Sequence, residues 1–576
     1  MDDLRTRLIE GQNSGTFLKA VDAIRRRETD EGRIAAELAG LHNSGDVDVL
    51  AAFKDLRRDP GNGINFYLTA HAFASALPAM NASVNQVMET IASIVKAGGQ
   101  DGAVDGMLEG FSNYCAKEES RCSSALQMIE ADPHLADLLP AVIFAGAKLN
   151  ADRYYRETVR LISSDHVNLR RKAAFAVGGL GAPEDASLTS DALTALEAAT
   201  SSGTDGALLA FAVKSAISLL QNDSTQEPRV KALVDGILTR GDAQSLRAAS
   251  ELLAWTRTKI SPAVRDMLVS HLHRVSPNDI TTLNIVDMAL SRMVGGADRL
   301  KAISFVERYL DDNADLKFEN LQHLFNAVGS DPKLLGTFLT RWFLHGSTVL
   351  RMAITSLVTR FHGRSQTLEI DPDEIPVKDA KHLLFIARKT IGYLFFAPIP
   401  MSSILISLMG QTDDDTTLQA LSSLLYDPVL TSFPSAADFV SAQAQAVTGK
   451  LKTFLENTHR EAAEHLDILK KIPNIPALHP TETQREIQHR RLSQSMRDSF
   501  REAEKQSPLR SIILKSVLLY GHKSIYHVHG PNNQTRRVET QMKTFGSNFE
   551  IPAMEQIDPV GLDFMIRVFM SEGIDP

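Results

Sequence analysis

Three histidines lie within eight residues of one short stretch, YGHKSIYHVHG, which runs from Tyr520 to Gly530. Histidine is the commonest metal ligand, and the two-residue period of a strand places His527 and His529 on the same face. A PNNQ turn and the strand-like TRRVETQMKTF follow. The sequence therefore predicts a β-hairpin that carries two candidate metal ligands, which is half of a typical transition-metal site.

The spacing of these residues resembles the first motif of the cupin family, in which a glycine precedes His-x-His and a glutamate and a second glycine follow. The matching residues are Gly521, His527, His529, Glu539 and Gly546. Nine residues separate His529 from the glutamate, where the family has three or four. A cupin also needs a barrel of many strands and a second histidine motif. We therefore expect a surface or interface hairpin, with no bound metal and no cofactor.

The composition indicates what carries this hairpin. The chain has 576 residues, of which 43% are hydrophobic and only 6% are aromatic, and its long Ala- and Leu-rich stretches favour helices over strands. This length predicts either several domains or one extended repeat array. The net charge of −9 argues against a molecule that binds polyanions over its whole surface. Two cysteines are too few for a disulfide scaffold.

Neither the N-terminus nor the most apolar segment predicts a membrane anchor. MDDLRTRLIEGQNSG lacks the apolar core of a secretory signal, so we expect a cytoplasmic protein. The uncharged stretch Ile391 to Gly410 is about as long as a membrane span, but Pro398 and Pro400 interrupt it. It predicts two buried helices joined at the prolines.

The clearest repeat unit is SSDHVNLRRKAAFAVGGLG, residues 163 to 181. Asp165 is placed to cap a helix, an apolar stripe follows, and Gly181 is placed to end the helix. The unit resembles the second helix of a HEAT repeat at Asp165, Leu169, Arg170, Ala173, Ala174 and Gly181. In that family the arginine, matched here by Arg170, Arg247 and Arg351, is usually structural.

A leucine recurs at this position with a steady period. Leu208, Leu246, Leu283 and Leu321 follow Leu169 at steps of 39, 38, 37 and 38 residues. Less regular matches extend the series in both directions, at Leu68, Val104, Leu135, Leu350, Leu384 and Leu418. Asp-Pro or Ser-Pro pairs at Asp132, Ser261, Asp331 and Asp427 each predict a helix start.

This period predicts an all-α, right-handed HEAT-like α-solenoid over about residues 15–430, because stacked helical pairs bury a shared core and leave a concave side. The array occupies residues 1–430. A helical extension and Pro-containing linker follow at 431–475. We expect residues 476–576 to form a small C-terminal α+β module made of a basic amphipathic helix, the hairpin and a final helix. Asp558 is expected to cap this final helix, whose apolar stripe of Leu562, Met565, Ile566 and Phe569 is expected to cover the hairpin.

The basic helix of this module is the main candidate for partner binding. Ile487, Leu492, Met496, Phe500 and Ala503 are expected to form its docking stripe. The candidate partner-binding residues are Arg485, Arg490, Arg491, Arg497 and Arg501, with Arg536 and Arg537 of the hairpin. Their charge could serve a phosphate backbone, an acidic protein, or the chain's own acidic array.

No motif in the sequence predicts catalysis. The chain has no phosphate-binding loop, no G-x-S-x-G elbow and no H-E-x-x-H, and both cysteines are expected in the core. We therefore expect a protein-interaction scaffold or adaptor that binds a protein partner on its concave surface, through the C-terminal module, or both. A nucleic-acid-binding solenoid and an enzyme with a site between array and module remain the alternatives. The sequence does not indicate a small-molecule substrate.

Overall fold

The structure is a computed structural model. It describes residues 2–26, 30–59, 61, 63–99, 105–201, 205–255, 260–362, 366–473, 480–506, 523–529, 535–541 and 552–574. The described part is a helical repeat array with one two-stranded sheet, which confirms the predicted all-α character of most of the chain.

The chain divides into two compact units, Met1–Val328 and Gly329–Pro576, and the boundary falls inside one helix. The helices of the first unit are α1 (Asp2–Asn13), α2 (Phe17–Arg25), α3 (Glu31–Ser44), α4 (Val49–Lys54), α5 (Phe66–Ala76), α6 (Val84–Gly98), α7 (Asp105–Cys115), α8 (Glu119–Ala131), α9 (Leu139–Leu149), α10 (Ala151–Ile162), α11 (Val167–Val177), α12 (Ser187–Ser201), α13 (Gly206–Leu219), α14 (Glu227–Thr239), α15 (Ala243–Trp255), α16 (Pro262–His271), α17 (Ile280–Val294) and α18 (Arg299–Asp312), and α19 (Gln322–Ser330) contains the boundary.

The second unit holds the remaining helices and both strands. They are α20 (Pro332–His345), α21 (Thr348–Leu357), α22 (Ala380–Leu394), α23 (Pro398–Met409), α24 (Asp415–Leu424), α25 (Pro434–Ala446), α26 (Gly449–Lys471), α27 (Glu482–Gln506), β1 (Lys523–His529), β2 (Thr535–Gln541), α28 (Ala553–Ile557) and α29 (Pro559–Ser571). A short π-helical segment, Leu425–Leu430, follows α24.

Polar contacts between successive helical pairs show the repeat directly. Hydrogen bonds from one pair to the next join residues about 29 to 43 positions apart. Ser215 Oγ on α13 donates to the carbonyl oxygen of Ala174 on α11, 41 positions earlier, over 2.6 Å. Tyr309 Oη donates to the carbonyl oxygen of Val275, 34 positions earlier, over 2.7 Å. The leucine period of 37 to 39 residues lies within this interval.

The leucines that define the period lie in the core. Alternate helices stack on one another, α11 on α13, α13 on α15 and α15 on α17. Leu169, Leu208, Leu246, Leu283 and Leu321 each expose less than 5% of their surface. Leu350 and Leu418 are also buried, whereas Leu68, Leu135 and Leu384 are half-buried and Val104 lies outside the described residues. The central part of the predicted register is therefore confirmed.

Most of the predicted helix starts are confirmed. Ser261 Oγ accepts from the amide of Val264 and so caps α16. Asp331 caps α20, Asp132 caps a 3-10 turn that begins at Pro133, and Asp558 caps α29. In each case a side-chain oxygen accepts from an amide that has no partner within its own helix.

One predicted cap is wrong. Helix α11 begins at Val167, so its capping position is His166, and Asp165 lies one residue too early. At Asp427 the backbone is non-helical, with φ −124° and ψ 114°, so the segment Leu425–Leu430 is kinked there and a new helical turn begins at Pro428. The Asp427 carboxylate accepts from the Thr431 hydroxyl in that turn over 3.3 Å.

The apolar stretch 391–410 forms the end of α22 and the whole of α23, with Pro398 in the first turn of α23. This confirms two buried helices joined at the prolines. Among the described residues, no helix combines the length and the apolar character that a membrane crossing requires.

The repeat core is tested by two substitutions in α17. Leu283 is 4% exposed, so Leu283→Asp should place an unpaired carboxylate in the shared core and cost several kcal/mol in the free energy of unfolding. Ile280, in the same helix, is 69% exposed, so Ile280→Asp should cost less than about 0.5 kcal/mol. Urea unfolding followed by circular dichroism measures both, and equal stability of the two variants would show that the register is wrong.

Candidate functional site

The two strands of the second unit pair in antiparallel fashion, with His527 opposite Arg537, His529 opposite Thr535 and Ile525 opposite Glu539. Residues directly opposite one another share a face of the sheet. The register therefore places His527, His529 and Glu539 at positions of one face, and it places a cationic residue, Arg537, at a position of that same face. Gly521, His522 and Gly546 lie outside the described residues.

Among the residues whose side chains the structure describes, no group of three or more His, Cys, Asp or Glu lies close enough to hold a metal ion, and the side chains of His527, His529 and Glu539 lie outside that set. Arg537, at the position opposite His527, also disfavours a divalent cation on this face, because like charges repel.

The arginines of α27 do not all share one face. At 100° per residue, Arg490, Arg497 and Arg501 lie within about 40° of one another around the helix axis. We call these three residues the arginine face. Arg485 and Arg491 lie on other sides of the helix, and all five side chains are exposed.

Contacts within α27 hold the arginine face in place. Arg490 pairs with Glu486 over 2.6 Å, and Arg501 approaches Asp498 at 3.6 Å. Arg497 Nε donates to the carbonyl oxygen of Ser493 over 3.1 Å. These pairs are highly exposed, so each contributes little to stability.

The expected docking stripe of α27 is only partly described. Ile487 is 46% exposed, so the prediction that this side chain docks is wrong. At 100° per residue, it lies about 140° to 180° around the helix axis from the other four members of the stripe. The side chains of Leu492, Met496, Phe500 and Ala503 lie outside the described part. Arg536 opposes Val528 in the register, and Arg537 is exposed.

A buried lysine joins the last helix to the array. Lys389 on α22 has no exposed surface, and its Nζ donates to the carbonyl oxygens of Phe569 and Met570 over 2.7 and 2.8 Å. These carbonyls belong to the last turn of α29, where the helix itself offers no donor and its dipole is negative. Lys389 therefore caps the C-terminus of α29.

Further charges surround this contact. Arg388 makes a two-pronged ion pair with Glu572, from Nε over 2.7 Å and from Nη2 over 2.6 Å. The Phe385 ring lies 5.1 Å from Lys389 Nζ and 5.7 Å from the Arg351 guanidinium carbon. Burial lowers the pKa of Lys389 to about 8, and the positive charges of Arg351 and Arg388 add to this while Glu572 opposes it.

A glycine allows the two helices to approach. A Cβ atom built at Gly392 would lie 3.1 Å from the backbone nitrogen of Met570 and 3.2 Å from Cβ of Phe569. Such contacts leave little room for any larger residue at this position.

The sequence did not identify this junction. Leu562 of the predicted α29 stripe is buried, and Met565, Ile566 and Phe569 are half-buried, but the helix was expected to cover the hairpin and instead packs on α22. The available signal was an Arg-Lys pair, Arg388 and Lys389, just before the uncharged apolar stretch, since lysine is almost never fully buried without partners.

The two cysteines and two arginines of the repeat motif contact groups within the protein core or their own helices. Cys115 and Cys122 are fully buried, and Cys122 Sγ donates to the carbonyl oxygen of Cys115 over 3.3 Å. Arg247 pairs with Glu251 over 3.0 Å, and Arg351 Nε donates to the carbonyl oxygen of Trp342 over 3.3 Å. These contacts fit the core and structural roles that we expected for them.

Comparison with known proteins adds no functional assignment. No protein-family model matches the chain, and no curated protein matches it. One solved structure, described as the crystal structure of an engineered protein from the Northeast Structural Genomics Consortium, aligns with 81% of this chain and 99% of its own at 12% identity. Its TM-score of 0.19 is too low to support an argument about fold or function.

For the hairpin we predict that the purified protein carries no stoichiometric zinc, iron, manganese or nickel. Two histidines without a third fixed ligand bind metal weakly. Elemental analysis should find far less than one metal ion per chain, and chelators should leave the melting temperature unchanged. One bound ion per chain that disappears in the H527A/H529A variant would contradict this.

For the α22–α29 junction we predict a pH-dependent stability. The pKa of Lys389 is about 8 in the folded chain, whereas an unfolded lysine titrates near 10.4. Between these values the unfolded chain binds more protons, so the folded state should gain stability as pH rises from about 8 to about 10.

Urea unfolding at pH 7 and pH 10, compared with Lys389→Met, isolates this effect, because methionine keeps the length of the side chain and cannot titrate. Between pH 7 and pH 10, the free energy of unfolding of the wild type should rise by at most about 3 kcal/mol more than that of the variant. If the difference in the free energy of unfolding between the two proteins does not change with pH, the pKa of Lys389 is not lowered in the folded chain.

Proposed function

We propose that this chain is a HEAT-like interaction scaffold that binds an acidic segment of a protein partner through the arginine face of α27. The observation that carries the proposal is the exposure of this helix. Every side chain of α27 that is described lies exposed except Ser493, which is half-buried, along a helix of 25 residues. The described side chains of this helix, the arginine face among them, are therefore open to a partner.

The arrangement of charge favours a protein over a nucleic acid. The helix carries six Lys and Arg against five Asp and Glu, so its net charge is close to zero and only the row of three arginines is locally basic. Arg490 and Arg501 lie about 16 Å apart along the axis. This length suits a few carboxylates on one short segment, whereas duplex DNA is usually contacted through many phosphates.

The HEAT-like type and right-handed course of the array are part of the same proposal. They are supported by the leucine period, by the match at Leu169, Arg170, Ala173 and Ala174, and by the stacking of alternate helices. Such arrays commonly present extended binding surfaces.

The test uses the full chain and a fluorescent peptide of about ten glutamates, with binding followed by anisotropy at low and moderate salt. R490E/R497E should weaken binding at least about tenfold, because it reverses two charges on the arginine face. R485E/R491E reverses two equally exposed charges on other faces and should have a much smaller effect.

Equal effects of the two double variants would show that only net charge matters and would contradict the proposal. A duplex DNA probe that binds more tightly than the peptide, loses affinity in R490E/R497E, and shows a steep salt dependence would replace the protein partner with a nucleic acid.

A further inference from the structure

A second candidate site lies apart from the arginine face, in a cleft between α24, the π-helical segment Leu425–Leu430 and α26. The cleft has an empty volume of about 380 Å³ including its open mouth. Its lining, which belongs entirely to the described residues, contains one carboxylate, Glu461, and no lysine or arginine. It is therefore a polar cleft with one negative charge.

Two hydroxyl groups in this cleft already donate their hydrogens within their own helices. Ser423 Oγ donates to the carbonyl oxygen of Gln419 over 2.9 Å, and Thr458 Oγ1 donates to the carbonyl oxygen of Phe454 over 2.8 Å. A hydroxyl has one hydrogen and two lone pairs, so both oxygens can still accept. The ionised carboxylate of Glu461 can only accept. Ser423, Thr458 and Glu461 therefore offer acceptors to a ligand that donates hydrogen bonds.

One buried group in the cleft lacks a partner. Ser422 is 5% exposed, and its Oγ has no hydrogen-bond partner among the described residues. Buried polar atoms are nearly always satisfied, and an unsatisfied one costs free energy.

Two aromatic residues add a preference for positive charge. Phe454 and Tyr426 line the cleft, and the Tyr426 ring packs edge-on against His465 with 6.2 Å between ring centroids. Aromatic faces attract ammonium groups, most strongly where water is partly excluded.

From these observations we propose that the cleft binds a primary alkylammonium group. Its three N–H donors match the acceptors of Glu461, Ser423 and Thr458, and its charge suits the carboxylate and the rings. A quaternary ammonium has the charge but no donors and should bind less well. The group can come from a lysine side chain of another protein or from a free diamine. The proposal does not rest on the arginine face.

The test titrates the full chain by calorimetry with Nα-acetyl-lysine-N-methylamide, with its Nε-trimethyl analogue, and with cadaverine. The primary amine should bind at least about fivefold more tightly than the trimethyl analogue. Glu461→Gln should weaken binding at least about tenfold, because it removes the only charge in the cleft. Glu464→Gln, at an exposed position one turn along α26 and outside the cleft, is the matched control and should bind like wild type.

Each outcome bears on the proposal. Binding of the lysine derivative supports a protein lysine as the ligand, and binding of cadaverine alone supports a free diamine. No measurable binding of either amine at about 10 mM would overturn the proposal. So would an equal response of the E461Q and E464Q variants, provided that both melt at the wild-type temperature.

Discussion

Each short helix of this array must bury one apolar face, and the helix that covers this face belongs to the neighbouring repeat. The constraint is visible in the backbone and in the side chains alike. Gly178, directly after the end of α11, lies so near α13 that a Cβ there would meet Cα of Ser215 at 2.6 Å. The Ser215 hydroxyl satisfies a carbonyl of α11 at the same place. Nearest-neighbour stacking of this kind makes each repeat depend on the next.

The last helix departs from this rule. Lys389 and Arg388 reach partners 180 to 184 positions further along the chain, and not one repeat away. A charged amine at the carbonyl end of α29 replaces part of the hydration that burial removes, and the Glu572 carboxylate balances some of the local positive charge. The second unit thus combines an array built from local repeats with a terminal helix attached at long range.

The sequence predicted the parts of this fold that depend on local rules. The leucine period, the caps at Ser261 and Asp331 and the break at Pro398 follow from spacing and from the chemistry of single residues. The cap at Asp165 failed because helix ends shift easily by one residue. The docking of α29 on α22 could not be predicted, because amphipathicity shows that a helix has a buried face and not which helix covers it. The cleft at Glu461 was also missed, since its residues come from segments about 40 positions apart and match no motif.

The attachment of α29 to α22 is the central claim of this account, and a charge-reversal cycle across the Arg388–Glu572 pair tests it most directly. These two side chains lie 184 positions apart in sequence and meet over 2.6 and 2.7 Å. R388E and E572R should each lower the free energy of unfolding, and the R388E/E572R double variant should recover part of that loss because it restores an opposite-charge pair. Urea unfolding followed by circular dichroism compares the four proteins. Losses that simply add in the double variant would contradict the account.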